Sequence, residues 1–463
     1  MCLPELFIEK LEDCLRSSPP SWNYKKDYFY YMVNYLVIRG IQYKDREFFP
    51  IDTQNLRNEI VSNIHRYIAY LINCGLLERD YFVLGKKAYH YRLNPNFDGG
   101  VRYVQIQPGT RLYQRIIMNQ RRKRNHDSRM PEYLKVMWEH FKRVEFDYVG
   151  AREWIEKQND LNKRYSYHAS LSLIEDKRFR YFKRNRTNGR LDTNLTSLKK
   201  DLRVYLLGNN ASIDLTNSQP FILSQILSDI LEKIIMINPR ADDKEKFITI
   251  PLCRHFFEVD FIKMFGYQAV KDLRKIRQKI LSEANGELLK FQSSCARGSF
   301  YDDFLLQIGD PSLSRDIIKK SMLAAIYSRN SIDKGSFFST PYQIEKERFA
   351  SVYPTIADII KVLKQKDHRN LSILLQRIES TIFIDRICPR LVKVGIVPLT
   401  IHDSVIVKED QAEKTMEICR DVFMELFRVI PTFHCERLKG KRKNDKNDVA
   451  IVSTHSEPLK IAV

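Results

Sequence analysis

Nine residues constrain this chain more than any other stretch. Leu399, Thr400 and Ile401 lead into His402 and Asp403, and Ser404, Val405, Ile406 and Val407 lead out. Aliphatic and β-branched residues on both sides favour strand, and an Asp-Ser pair at the apex suits a tight turn, so the pattern predicts a hairpin with the Asp403 carboxylate at its tip. A carboxylate held rigidly there is well placed to bind a metal. An ordinary solvated acidic turn is the plainer alternative, and the rest of the chain must decide between them.

The partner class follows from charge. The formal net charge is +20, a surplus that favours a polyanion, because neutralising phosphates releases counterions. Nucleic acid leads and an anionic membrane trails. No apolar run reaches signal-peptide or transmembrane length, so a cytoplasmic location without membrane contact is expected. The eight cysteines are scattered with no CxxC pair, which points to buried thiols rather than zinc or disulfides. The length of 463 residues suggests about three domains.

Along the chain, an aromatic helix is expected over 28–41, then an N-cap near Asp52 and a second helix. Ile60, Ile64, Tyr67, Ile68, Leu71 and Ile72 recur at helical spacing and Gly75 ends the pattern. Two alternating strands follow, turning at Gly85, Lys86 and Lys87. Helices followed by a basic-tipped hairpin resemble a winged helix, with Asn63, His65 and Arg66 on the exposed face of the recognition-helix candidate and Lys86 and Lys87 on the wing. Contact with DNA and contact with protein are both open for such a module. From 107 to 182 the pattern is helical and basic, with Arg121, Arg122, Lys123 and Arg124 between two helices; this fits a solvated face or an arm that grips a duplex.

Three further stretches carry chemistry. In TNGRL, Gly189 permits a tight turn and Arg190 is a planar donor suited to phosphate or a base edge. In DLTNSQP, a short strand ends at Asp214, and Ser218 is expected to cap a helix with Pro220 in its first turn. On the helix after residue 314, Arg315, Lys319, Leu323 and Tyr327 share a sector about 120° wide. Lys319 and Tyr327 stand two turns, about 12 Å, apart, a span that suits a nucleoside triphosphate. A core helix with an exposed basic first turn is the alternative, and it is the preferred reading for Lys320.

Taken together and in this order, these stretches resemble the palm and fingers motifs of the family A nucleic-acid polymerases, which include the DNA polymerase I-like enzymes and the bacteriophage-type single-subunit RNA polymerases. The resemblance covers about residues 180–430. It implies that Arg190 contacts primer and template and that Asp214 binds both catalytic metals, with the Leu215 carbonyl as a further ligand. The R-x3-K-x7-Y pattern at Arg315, Lys319 and Tyr327 implies triphosphate and base contacts, with Leu323 alongside. IHDS implies His402 near the primer end and Asp403 on metal, and Gln376 in LLQRIES resembles a glutamine that reads the minor groove. The implied cofactor is a pair of Mg²⁺ ions, about 4 Å apart, with Mn²⁺ as a substitute.

The chain departs from the pattern at several positions. Gln219 stands where the DNA polymerases carry a glutamate that excludes the ribose 2′-hydroxyl, and its similar bulk favours dNTPs. The final motif reads HDS, as in the RNA polymerases, and Lys319-x-Ser321 also resembles them. Ser328 and Leu323 replace a glycine and an aromatic residue, and the span from Arg315 to Asp403 is shorter than in the relatives. No acidic constellation for a proofreading exonuclease is visible.

The expectation is an α+β right-hand polymerase preceded by a small winged-helix-like domain. Residues 1–100 form that domain, 101–182 a helical, basic, thumb-like region, 183–230 the palm with its first aspartate, 231–345 the fingers with an insertion, and 346–463 the palm hairpin and C-terminal region. The expected function is Mg²⁺-dependent, template-directed extension of a primer from dNTPs. The alternatives are an RNA polymerase or template-independent transferase on the same fold, and an inactive nucleic-acid-binding initiator or regulator.

Overall fold

Phe7, Ile8 and Leu11 recur at helical spacing and are buried on one side of a helix, Glu5–Ser17, that was not anticipated from the sequence. The computed structural model describes residues 1–42, 48–51, 53–59, 61–81, 89–94, 100–123, 130–237, 249–253, 257–282, 286–330 and 342–438. Helices Lys26–Gln42, Thr53–Glu59 and Ile64–Asn73 follow the first. In the last of these Ile64, Tyr67, Ile68 and Leu71 are buried while His65 and Arg66 face solvent and Asn63 is half-buried. Gly75 sits just past its C-cap at φ +65°, a left-handed conformation that glycine adopts without strain. Strand His90–Leu93 pairs antiparallel with both Phe49–Pro50 and Leu77–Arg79. Asp52 and the turn with Lys86 and Lys87 lie outside the described residues.

The basic region is helical: Arg111–Lys123, Glu132–Arg143, Tyr148–Glu156 and Leu161–Glu175. Arg121, Arg122 and Lys123 belong to the end of the first helix rather than to a linker, because helical propensity continues unbroken through them; Arg124 lies outside the described residues. Among the described residues, one hydrophobic core spans residues 3–112 and a second spans 134–438. A polar chain ties one to the other: the Tyr103 hydroxyl meets His168 Nδ1, and His168 Nε2 meets Glu156 Oε1 at 2.8 Å. Arg180, 1 % exposed, donates to the Ile174, Phe141 and Lys142 carbonyls and to Tyr148 Oη at 2.9–3.2 Å, so each of its three buried nitrogens has a partner.

The second core is built round a four-stranded antiparallel sheet in the order Leu399–Ile401, Ser404–Lys408, Asn210–Leu215, Phe433–Leu438. Ile213 and Val405 are fully buried and face a helical layer that includes Ser218–Lys233 and Ala412–Phe427. Mixed helix and sheet were expected; the fourth strand, Phe433–Leu438, was not. Among the described residues no helix is long and apolar enough to cross a membrane.

Lys364 lies inside this core, 3 % exposed, with Nζ donating to the Ala325 carbonyl at 2.5 Å. Burial, and secondarily Lys346, hold its pKa down at about 8. Between that value and 10.5 the unfolded chain binds more protons than the folded one, so this group makes the protein more stable as pH rises through the interval. Lys364→Met is therefore expected to stabilise the protein at pH 7. The relief of the buried charge, about 3 kcal/mol, exceeds the loss of one hydrogen bond, about 1 kcal/mol. Urea unfolding at pH 7 and pH 10 checks this, because the gain should fade at the higher pH.

Candidate active site

Two residues, His402 and Asp403, close the predicted hairpin between Ile401 and Ser404. His402 takes φ +54° and Asp403 does not; positive φ at the first loop residue alone is the type II′ pattern, one of the two whose twist matches the flanking strands. Positive φ is uncommon for a side chain of this size, and such residues cluster where function holds them. Ser404 pairs directly with Asp214 across the sheet, and the Leu215 amide donates to the Asp403 carbonyl at 3.2 Å. Sheet pairing thus brings together the two aspartates singled out in the sequence, although they are far apart in the chain. Burial, then Glu379 and Asp214, push the Asp403 carboxyl well above the usual carboxylate range. Asp214 moves the same way, chiefly by burial, with Ser404 and Lys200 partly offsetting it.

Asp214 is the last residue but one of its strand, which runs one residue past the expected end to Leu215, and Asn217 at φ +55° turns the chain into helix Ser218–Lys233. Ser218, expected as the cap, is the first helical residue instead. Its hydroxyl is drawn away to Glu379 Oε2 at 3.3 Å, which is why Asn217 takes the cap position. Gly298, at φ +77°, comes so close that an added Cβ would lie 3.0 Å from Thr432 Cβ and 3.1 Å from Thr216 Cγ2.

Helix Arg315–Tyr327 starts at Ser314, whose Oγ accepts from the Ile317 amide. Ile318, Met322, Ala325 and Ile326 are buried, whereas Arg315 and Lys319 are exposed and Leu323 and Tyr327 half-buried. The predicted four-residue stripe is therefore the accessible side. Lys320 is also exposed. Arg315 Nε reaches Asp302 Oδ1 at 3.2 Å and its guanidinium lies over the Tyr301 ring at 5.4 Å. At the other end, the Tyr327 hydroxyl donates to Gln219 Oε1 at 3.1 Å.

The TNGRL turn is held by helix Arg369–Ser380. The Asn188 side-chain amide donates to Gln376 Oε1 at 3.0 Å, Arg377 Nε donates to the Thr187 carbonyl at 2.7 Å, and the Ser380 hydroxyl donates to the Gly189 carbonyl. Arg190 Nε and Nη2 both reach Glu379 Oε1, at 2.9 and 2.5 Å. Arg190 and Gln376 thus belong to the same wall as Gln219 and Tyr327.

His402 itself is exposed, yet the crowding around it, then Arg190 and Arg203, lower its pKa, so the imidazole is neutral at pH 7. Three residues of this wall had no role in the sequence reading. Glu379 is 1 % exposed, and its one sequence signal is an acid standing three residues after Gln376, on the same helical side. Arg203 raises no pattern in its basic segment, yet it is close enough to Asp214 and Asp403 to feel both, and its Nε is buried without a partner among the described residues. Tyr301, 6 % exposed, carries the Arg315 guanidinium over its ring and is close enough to Asp403 to feel its charge.

The donor set has a definite chemistry. Among the described residues no group of three His, Cys, Asp or Glu is placed to hold a metal, so a zinc-type cage is not present there. Two carboxylates that resist ionisation through burial and mutual repulsion, with main-chain oxygen beside them, fit a hard cation that takes its remaining ligands from water and substrate phosphate. Of the N-terminal residues singled out, Arg66 is exposed in the first core's domain and is not part of this site; Lys86 and Lys87 are outside the described residues.

No protein-family model matches the chain, and no curated protein matches it. Among solved structures, the chain is similar to the POL domain of Pol1 from M. smegmatis in complex with DNA primer-template and dNTP. The identity is 11% and the TM-score 0.25, over 62% of this chain and 55% of that one. The chain thus spans about half the length of that structure.

Proposed function

We propose that this chain is a nucleotidyltransferase that extends a nucleic-acid primer along a template, using dNTPs. The observation that carries the reading is the pairing of Asp214 and Asp403 at one sheet end. A helix whose accessible side bears Arg315, Lys319 and Tyr327 brings Tyr327 close enough to Asp403 to feel its charge. In this reading residues 183–230 and 346–463 are palm, 231–345 fingers, 101–182 a thumb-like arm, and 1–100 a winged-helix-like module that adds Arg66, Lys86 and Lys87 to the nucleic-acid surface.

Asp214, Asp403 and the Leu215 carbonyl would hold Mg²⁺, with Mn²⁺ as a substitute. Ions so held lower the pKa of a primer 3′-hydroxyl and shield the charge of a triphosphate. The protein's own groups do the rest. Arg315 and Lys319 present cations to the triphosphate, where charge develops during in-line displacement. Tyr327 and Leu323 face the base, and Gln219 stands beside the sugar. His402, neutral, can hydrogen-bond at the primer end without adding charge, and Arg190 and Gln376 face the duplex.

Extension of a labelled primer on a DNA template, with Mg²⁺ and either dNTPs or NTPs, tests the reading. Addition of dNTPs that stops on chelation is expected. Addition from NTPs alone would replace it with an RNA polymerase, and duplex binding without addition from either pool would replace it with a binding protein.

A further inference from the structure

Glu379 is an ionisable group that the preceding account leaves without a task, and it is the most heavily bonded side chain near the site. Oε1 accepts twice from Arg190, and Oε2 accepts from Ser218 Oγ and from Gln219 Nε2. An ionised carboxylate accepts only, so its charge dictates which way its neighbours point. With Nε2 on the carboxylate, Gln219 must turn Oε1 outward, where it accepts from Tyr327. Reversing the amide would set oxygen against oxygen.

The same logic runs further. Gln376 Oε1 is taken by Asn188, which leaves its NH₂ on the side of the Tyr327 oxygen, near enough to favour the ionised form of that phenol. Tyr327 donates to Gln219 and Gln219 to Glu379, where the chain ends, while Asn188 donates to Gln376 beside it. Arg190, on the same turn as Asn188, closes it from the other side. Chains of this kind hold their members more firmly than isolated bonds do.

We propose that Glu379 is a positioning residue for sugar selection: by pinning one end of the Gln219 amide while Tyr327 pins the other, it makes that side chain a fixed wall beside the ribose of the incoming nucleotide. The inference rests on the nucleotidyltransferase reading above. It also accounts for glutamine at 219. A second carboxylate there would face the one at 379 and could not be pinned by it.

The test compares kcat and KM for dNTP and NTP incorporation, with melting temperatures, in four variants. Glu379→Gln presents an NH₂ to the Gln219 NH₂ and releases the pin; the dNTP-over-NTP preference should fall at least about tenfold, mainly through better use of NTPs. Gln219→Glu should lose the preference as well. The double exchange, Glu379→Gln with Gln219→Glu, swaps the two groups: the carboxylate now at position 219 accepts from the amide now at position 379 and from Tyr327, so the preference should return. Gln219→Met keeps bulk and leaves the Arg190–Glu379 bridge intact, and it should also lose the preference; with the exchange, it decides the matter if Glu379→Gln fails to fold. If folded variants slow both sugars equally, or the exchange restores stability and not the preference, Glu379 is only a structural brace and the proposal is overturned. If the wild-type protein adds no nucleotide, the function reading falls and takes this inference with it, a result distinct from any change among variants.

Discussion

Asp403→Ala is expected to lower nucleotide incorporation by at least ~10³-fold, about 4 kcal/mol of transition-state stabilisation, while duplex affinity stays within a few-fold. The reasoning is local. The hairpin closes through main-chain pairing of Ile401 with Ser404, and the Leu215 amide bonds the Asp403 carbonyl rather than its side chain. Removing the carboxylate therefore leaves the backbone scaffold in place. Stability should move in the opposite direction from activity. The native carboxyl of Asp403 is raised by burial, Glu379 and Asp214, so the folded state binds more protons than the unfolded one between the ordinary carboxylate range and the raised value. Wild-type stability falls as pH rises through that interval. Asp403→Asn should relieve this and melt higher at pH 8, with a gain that shrinks towards pH 4. A variant both inactive and less stable at pH 8 would mean that the carboxylate is a structural element.

Arg190→Ala should be the most damaging single change to stability near the site. Glu379 is 1 % exposed, and Arg190 supplies two of its bonds and its counter-charge. Leaving such a carboxylate unpaired costs about 3–5 kcal/mol. The loss should be smaller at pH 5 than at pH 7.5, because burial already raises the Glu379 carboxyl and a protonated Glu379 no longer needs the arginine. Adding Glu379→Ala should recover part of the loss, since the buried charge is then gone. Urea unfolding of the two single variants and the double variant at both pH values checks this; equal losses at the two pH values would show that Arg190 acts through packing instead.

Local signals in the sequence were read where they are strong. Aliphatic residues on both sides of a polar turn give the hairpin at 399–407, although its turn is His402-Asp403 and Ser404, expected at the apex, already pairs with Ile401 in the strand; four-residue spacing gives the accessible side of helix Arg315–Tyr327. Gly75 ends its helix as the glycine rule requires. What escaped depends on partners far away in the chain. Strand Phe433–Leu438 is half-exposed and mixed in character, and only its pairing with Asn210–Leu215 makes it a strand. Ser218 reads as a cap until Glu379 is folded against it. Glu379 lies in an apolar helical run where an acid has no local meaning, and its role emerges only when residues 185–190 pack on that helix. Arg203 needs both aspartates in place before its position means anything.

In the proposed function, the paired aspartates and the Arg315–Tyr327 helix together perform template-directed nucleotidyl transfer. The most direct measurement is single-nucleotide addition to one labelled primer on four templates that differ only in the next base, with each dNTP supplied alone and Mg²⁺ present. Each template should select its complementary dNTP, and Asp214→Ala and Asp403→Ala should add none. Addition of the same nucleotide whatever the template, full activity in either aspartate variant, or no addition by the wild-type protein would contradict it.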